Sequence, residues 1–137
     1  MRKILLASHG DFSKGLLDSA KMIVGDLANC VTSYSLYPGE SAAEYVKSIE
    51  DTVANDKETE YVILSDLYGA SVCTAMLRLT IYQNVRLFSG MNLNMLLELL
   101  TRFSDLLSDE DVKQLVEESK AGVTHVTIDI NEEEEVF

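Results

Sequence analysis

Four short apolar runs, each followed by a longer stretch with helical spacing, constrain this chain more than any other feature. Lys3 to Ala7 is compact and apolar. After it, Phe12, Leu16, Ala20, Ile23, Val24 and Leu27 recur as one helix face, with Asp11 or Ser13 as the cap and Gly25 near the end. Val31 to Tyr37 predicts a second strand, stopped by Pro38-Gly39. Ser41-Ala42-Ala43-Glu44 has the form of a capping box, and the helix behind it puts Ala42, Val46, Ile49 and Val53 on one side. Glu60 to Ser65 is a nearly unbroken apolar run, as suits a strand covered on both faces. Gly69 and Ala70 then turn the chain. Ser71 can cap a helix with Val72, Ala75, Met76 and Leu79 inward.

Val85 to Ser89 predicts the fourth strand. Gly90 turns it, and Asn92 caps a helix carrying Leu93, Leu96, Leu97, Leu100 and Phe103. A further helix is expected from about Asp109 to Lys120, and Val123 to Ile130 alternates in part, as a fifth strand would. The expectation is a single-domain α/β fold: a mainly parallel sheet of about five strands with helices on both faces, over residues 1–130. Residues 131–137, with four consecutive glutamates, read as an acidic disordered tail. A strand order of 2-1-3-4 is usual at this length. Its topological switch point falls between strands 1 and 3, so chemistry should collect at their carboxyl ends.

Charge narrows the partners. Eleven Lys and Arg against 23 Asp and Glu leave a net charge of −12. Nucleic acid and anionic membrane surfaces both attract basic patches, so neither suits this chain, whereas a basic protein does. The two cysteines, Cys30 and Cys73, form no CxxC pair and read as buried reduced thiols. The apolar run at the start ends after four residues at Ser8, too short for a signal-peptide core, and no run approaches 18 apolar residues. A cytoplasmic location is expected. No P-loop or GxGxxG is present, and two histidines with two scattered cysteines do not make a zinc site. No metal or cofactor is expected.

Two features occupy the strand ends. Strand 1 ends in Ser8-His9-Gly10, and strand 3 in Ser65-Asp66-Leu67-Tyr68-Gly69-Ala70-Ser71. Adjacent strands lie about 4.8 Å apart, so His9 and Asp66 can meet across the crevice. A carboxylate at one ring nitrogen fixes the tautomer, turns the other lone pair outward and stabilises positive charge on the ring. Ser8 should point to the opposite face, so no hydroxyl nucleophile is served. The Gly69-Ala70-Ser71 turn offers backbone amides, a helix start and a hydroxyl to an anion, and Gly10 leaves room beside His9. Taken singly, His9 would be a structural histidine, Asp66 a turn residue and the glycine turn an ordinary connection. Their convergence on one crevice lifts them above that. His125, without an evident partner, is taken as structural.

With Ser8-His9-Gly10, Ala20 to Gly25, Tyr37-Pro38-Gly39-Glu40, Asp66 to Ser71 and Ser89 to Leu96 in this order and spacing, the chain resembles the mannose-type enzyme IIA family of the bacterial phosphoenolpyruvate-dependent sugar phosphotransferase system. The resemblance covers roughly residues 1 to 130. It implies a phosphocarrier that accepts a phosphoryl group on Nε2 of His9 from a histidine-containing phosphocarrier protein and passes it to a IIB subunit during sugar uptake. A membrane permease is then engaged only indirectly. Asp66 would hold Nδ1, and Gly69 to Ser71 would line the pocket. The resemblance also implies a homodimer that exchanges the last, antiparallel strand, here Val123 to Ile130. Tyr68, Ala70 and Val72 replace a tryptophan, a glycine and a proline common in relatives, which bears on pocket shape and partner preference. The alternatives are a IIA-like donor to a dihydroxyacetone kinase system, a phosphorylation-sensing regulatory module, and a small hydrolase using His9 and Asp66. The sugar itself is not encoded in these motifs.

Overall fold

The computed structural model describes residues 1–103 and 106–128. The four apolar runs become strands β1 (Arg2–His9), β2 (Val31–Leu36), β3 (Glu60–Ser65) and β4 (Val85–Phe88). The helices are α1 (Phe12–Val24), α2 (Ala42–Asn55), α3 (Ser71–Met76), α4 (Leu93–Thr101) and α5 (Asp109–Ala121). The sheet order is β2-β1-β3-β4, and every pairing is parallel, as βαβ crossovers require. Thus β1 is central, and His9 lies opposite Leu36 of β2.

The pleat divides the core in two. Ile4, Leu6, Val62 and Leu64 face α1, α4 and α5. Ala7 and Ile63 face α2, α3 and the 3-10 turn Leu77–Ile81. Asn92 caps α4 by accepting from the Met95 amide at 2.9 Å, and Ser41 caps α2 by accepting from the Glu44 amide. Ser108 and Asp111 close a full capping box on α5. At the amino ends of the strands, Glu60 binds Arg2 through one carboxylate oxygen and the Leu107 amide through the other. This ties the α4–α5 connection to the sheet. Leu96 is fully buried beneath α5 and the sheet. Leu96→Ala should therefore cost about 2–5 kcal/mol of unfolding free energy in a denaturant titration.

Several expectations need correction. The sheet has four strands, because residues 123–128 make no ladder among the described residues. A strand needs a neighbour for its amides and carbonyls, and this segment reaches none. Positions 129 and 130 and the 131–137 tail lie outside the described residues. His125 is exposed on that segment, so it supports no core. Phe12, Ile23 and Leu27 are exposed rather than inward. Helix α1 stops at Val24, and the 3-10 turn Gly25–Cys30 puts Leu27 out of phase. Leu97 is only half-buried, whereas Met95 and Leu99 are buried, because α4 packs against α5, α1 and the 3-10 turn Gly25–Cys30. Cys73 is buried as expected, but Cys30 is half-exposed.

Candidate functional site

The carboxyl ends of β1 and β3 bring His9 and Asp66 together as expected. Pleat alternation turns Ser8 toward α1 and His9 toward α3. One oxygen of Asp66, Oδ2, lies 2.8 Å from His9 Nδ1 and also accepts the His9 backbone amide at 2.8 Å. A carboxylate only accepts, so Nδ1 carries the proton and Nε2 keeps its lone pair. Burial pushes the Asp66 carboxyl up. The His9 amide and ring outweigh it and hold the group below its usual range, hence ionised at neutral pH. Its other oxygen, Oδ1, is buried and has no hydrogen-bond partner among the described residues. The carboxylate thus serves mainly His9, whose side chain remains 47% exposed.

Ser71 does not cap α3, contrary to expectation. Ala70 holds the cap position, and the Ser71 hydroxyl points at His9 Nε2 from 3.2 Å. As the only donor of the two atoms, it gives its proton to the Nε2 lone pair. Gly69 turns the chain at φ +81°, and Gly10 does so after His9 at φ +58°. A Cβ at either glycine would meet nothing within 4 Å. Gly10 is therefore required for its left-handed backbone rather than for room, which replaces the earlier expectation. Its amide donates to the Leu36 carbonyl at 2.8 Å, anchoring the turn on β2.

Sequence reasoning missed two arrangements. Ser8 is fully buried, and its Oγ donates to the Gly10 carbonyl and accepts from the Ser13 amide, both below 3 Å. It therefore knits the turn that carries His9. On the rim, the Tyr37 hydroxyl donates to Asp11 at 2.5 Å, and Lys14 donates to the same hydroxyl at 2.9 Å. The Tyr37 and Ser35 hydroxyls, with Lys14, hold the Asp11 carboxyl below its usual range. The only signal for this bridge was a polar residue on each of two loops facing one strand end. Leu67 and Tyr68 of the β3–α3 loop stand exposed beside the site, as does Phe12. Among the described residues, no three His, Cys, Asp or Glu side chains gather as a metal set.

An exposed nucleophilic nitrogen oriented by a carboxylate, with a hydroxyl beside it, suits transfer of a small anionic group. The comparisons with known proteins agree. A family model described as "PTS system fructose IIA component" matches residues 3–116. The chain belongs to the mannose-type IIA family of the sugar phosphotransferase system. This IIA protein is 31% identical over 123 residues to the mannose-specific EIIAB component of Escherichia coli K12, covering 88% of this chain and 38% of that one. It thus spans well under half the length of such curated relatives.

Solved structures match over nearly their whole length. The EIIA component from Streptococcus agalactiae is 28% identical with a TM-score of 0.78, covering 91% of this chain and 97% of its own. A mannose/sorbose-specific IIA subunit from Enterococcus faecalis is 25% identical with a TM-score of 0.79, covering 93% and 96%. Membership places this chain among the IIA components of the sugar phosphotransferase system. No helix among its described residues is long and apolar enough to cross a membrane.

Proposed function

We propose that this IIA protein carries a phosphoryl group on Nε2 of His9, taking it from a histidine-containing phosphocarrier protein and giving it to a IIB subunit during sugar uptake. The observation that carries the reading is the shared Asp66 oxygen on the His9 ring and amide, which keeps the proton on Nδ1 and leaves the Nε2 lone pair to attack once the Ser71 hydroxyl turns away. His9 attacks phosphorus in line, the bond from phosphorus to the donor's ring nitrogen breaks, and Asp66 compensates the charge on the phosphorylated ring. Ser71 then donates to a phosphoryl oxygen in place of Nε2. Gly10, Gly69 and Ala70 shape the surrounding turns. Phe12, Leu67 and Tyr68 form an exposed apolar rim suited to transient docking.

The test is incubation with labelled phosphoenolpyruvate, enzyme I and the phosphocarrier protein, followed by addition of a IIB subunit. Acid-labile label should appear on the IIA protein and leave it when IIB is added. A folded protein that never acquires label refutes the reading. Label that IIB cannot discharge fits the regulatory alternative instead, and discharge only to a dihydroxyacetone kinase fits the other. Release of inorganic phosphate without any partner fits the hydrolase.

The reading includes a homodimer. Among the described residues, strand β4 ends the sheet with an unpaired edge, and beside it lies a groove of about 560 Å³ lined by Leu87, Met95, Val112 and Val116. Val123, Val126 and Ile128 are each more than four-fifths exposed on the segment that follows α5. Apolar side chains on an unpaired segment and an open sheet edge suit reciprocal strand exchange between two copies. Sedimentation velocity at micromolar concentration should show a dimer, and Val126→Asp should shift it toward monomer. A monomeric parent protein excludes the exchange.

A further inference from the structure

Asp11 occupies the N-cap position of α1 yet makes no capping bond. An aspartate there ordinarily accepts a first-turn amide. In this chain Ser8 takes that role, since its Oγ accepts from the Ser13 amide at 2.8 Å. The Asp11 carboxylate is freed and held instead by the Tyr37 hydroxyl at 2.5 Å. Tyr37 is fixed in turn: its amide donates to Glu40 at 2.8 Å, and it directly follows Leu36, the register partner of His9. A full negative charge is thereby pinned two residues from His9, above the neighbouring strand end. Lys14 tempers it from 3.5 Å.

Resting on the reading that His9 carries the phosphoryl group, we propose that Asp11, positioned by Tyr37, raises the group-transfer potential of the phosphohistidine. A phosphoryl group on Nε2 brings up to two negative charges to the same strand end. Repulsion from Asp11 destabilises the charged carrier relative to the free one. Ser71 and Asp66 favour the phosphorylated state, and Asp11 opposes them. The balance keeps the group transferable in both directions rather than trapped. Asp11 touches neither the reacting nitrogen nor its proton, so it acts as a positioned charge and not as a catalytic residue.

The experiment is the equilibrium of phosphoryl exchange with the phosphocarrier protein. It is approached from both directions and read as the ratio of phosphorylated to free IIA protein by intact-mass spectrometry. Coulomb repulsion in water between the Asp11 carboxylate and a doubly charged phosphoryl group at the same strand end predicts that Asp11→Asn shifts this ratio toward the phosphorylated form by about three- to tenfold. Lys14→Met should shift it the other way by about twofold, since its charge lies on the attractive side. Tyr37→Phe releases the carboxylate and should fall between the parent and Asp11→Asn. Asp11→Glu keeps the charge and should restore the parent ratio. In 1 M salt, where the screening length is about 3 Å, the differences should collapse.

An unchanged ratio in Asp11→Asn overturns the proposal, as does a shift that survives 1 M salt. Altered approach rates with an unchanged end point also overturn it, and would assign Asp11 to docking or turn structure. A parent protein that takes up no phosphoryl group refutes the proposed function itself. The two failures are therefore distinguishable.

Discussion

His9→Ala is expected to leave a folded protein that takes up no label at all from the phosphorylated carrier. The ring is 47% exposed and joins neither core cluster, so unfolding free energy should change by less than about 1 kcal/mol. Asp66 keeps one of its two partners, because the backbone amide at position 9 remains to donate to Oδ2. The nucleophile, by contrast, is gone, and no other group replaces it. Ser71 supplies a nearby hydroxyl, but the hydrogen bond it makes is to the ring that has been removed. His125 is exposed on the segment after α5, and no orienting carboxylate bonds it among the described residues. Acid-labile label on His9→Ala at the parent level would move the carrier site elsewhere and dissolve the proposed mechanism.

Asp66→Asn should have the second-largest effect, slowing transfer while sparing the fold. The His9 backbone amide demands an oxygen at the Oδ2 position. It therefore holds the amide oxygen of the substituted side chain inward, toward Nδ1, and the tautomer survives. What disappears is the charge that compensates the cationic phosphorylated ring. A contacting carboxylate typically moves a partner's pKa by one to two units, so the loss should be about ten- to a hundredfold in rate. A triad histidine whose partner amide enforces the wrong tautomer loses about 10⁴-fold, and a loss that large here would mean the ring had turned. Single-turnover phosphorylation in rapid-quench flow measures the difference, and an unchanged rate would remove Asp66 from the mechanism.

The same substitution should alter acid stability in a fixed direction. The folded protein holds the Asp66 carboxyl below its usual range. That stabilisation is complete above the unfolded value, near pH 4, and is lost as pH falls through the lower folded value. Asp66→Asn removes it, so part of the decline in stability below about pH 4 should flatten.

Much of this architecture was readable from spacing alone. The strands were visible because parallel sheets covered on both faces need continuous apolar runs, and Glu60 to Ser65 is such a run. The helix starts at Ser41 and Asn92 were visible because capping is local chemistry. Ser71 misled for the same reason. Its sequence neighbours mark a helix start, but its hydroxyl is claimed by a histidine 62 positions away. The Asp11–Tyr37–Lys14 bridge was invisible because it joins two loops through contacts 23 and 26 positions apart. Val123 to Ile130 shows where reading one chain reaches its limit. Partial alternation suggests a strand, yet residues 123–128 pair with nothing among the described residues, because pairing needs an edge that the local sequence does not specify.

The central position of β1 bears on how the protein comes into being. His9 is made well before Asp66, and the β1–α1–β2 unit can close around it with only local chain. The carboxylate that orients it arrives 57 residues later, and only when β3 docks along the other side of β1. On the proposed reading, a nascent or partly unfolded chain carries the histidine without its partner and accepts a phosphoryl group poorly, so that charging reports on completed folding.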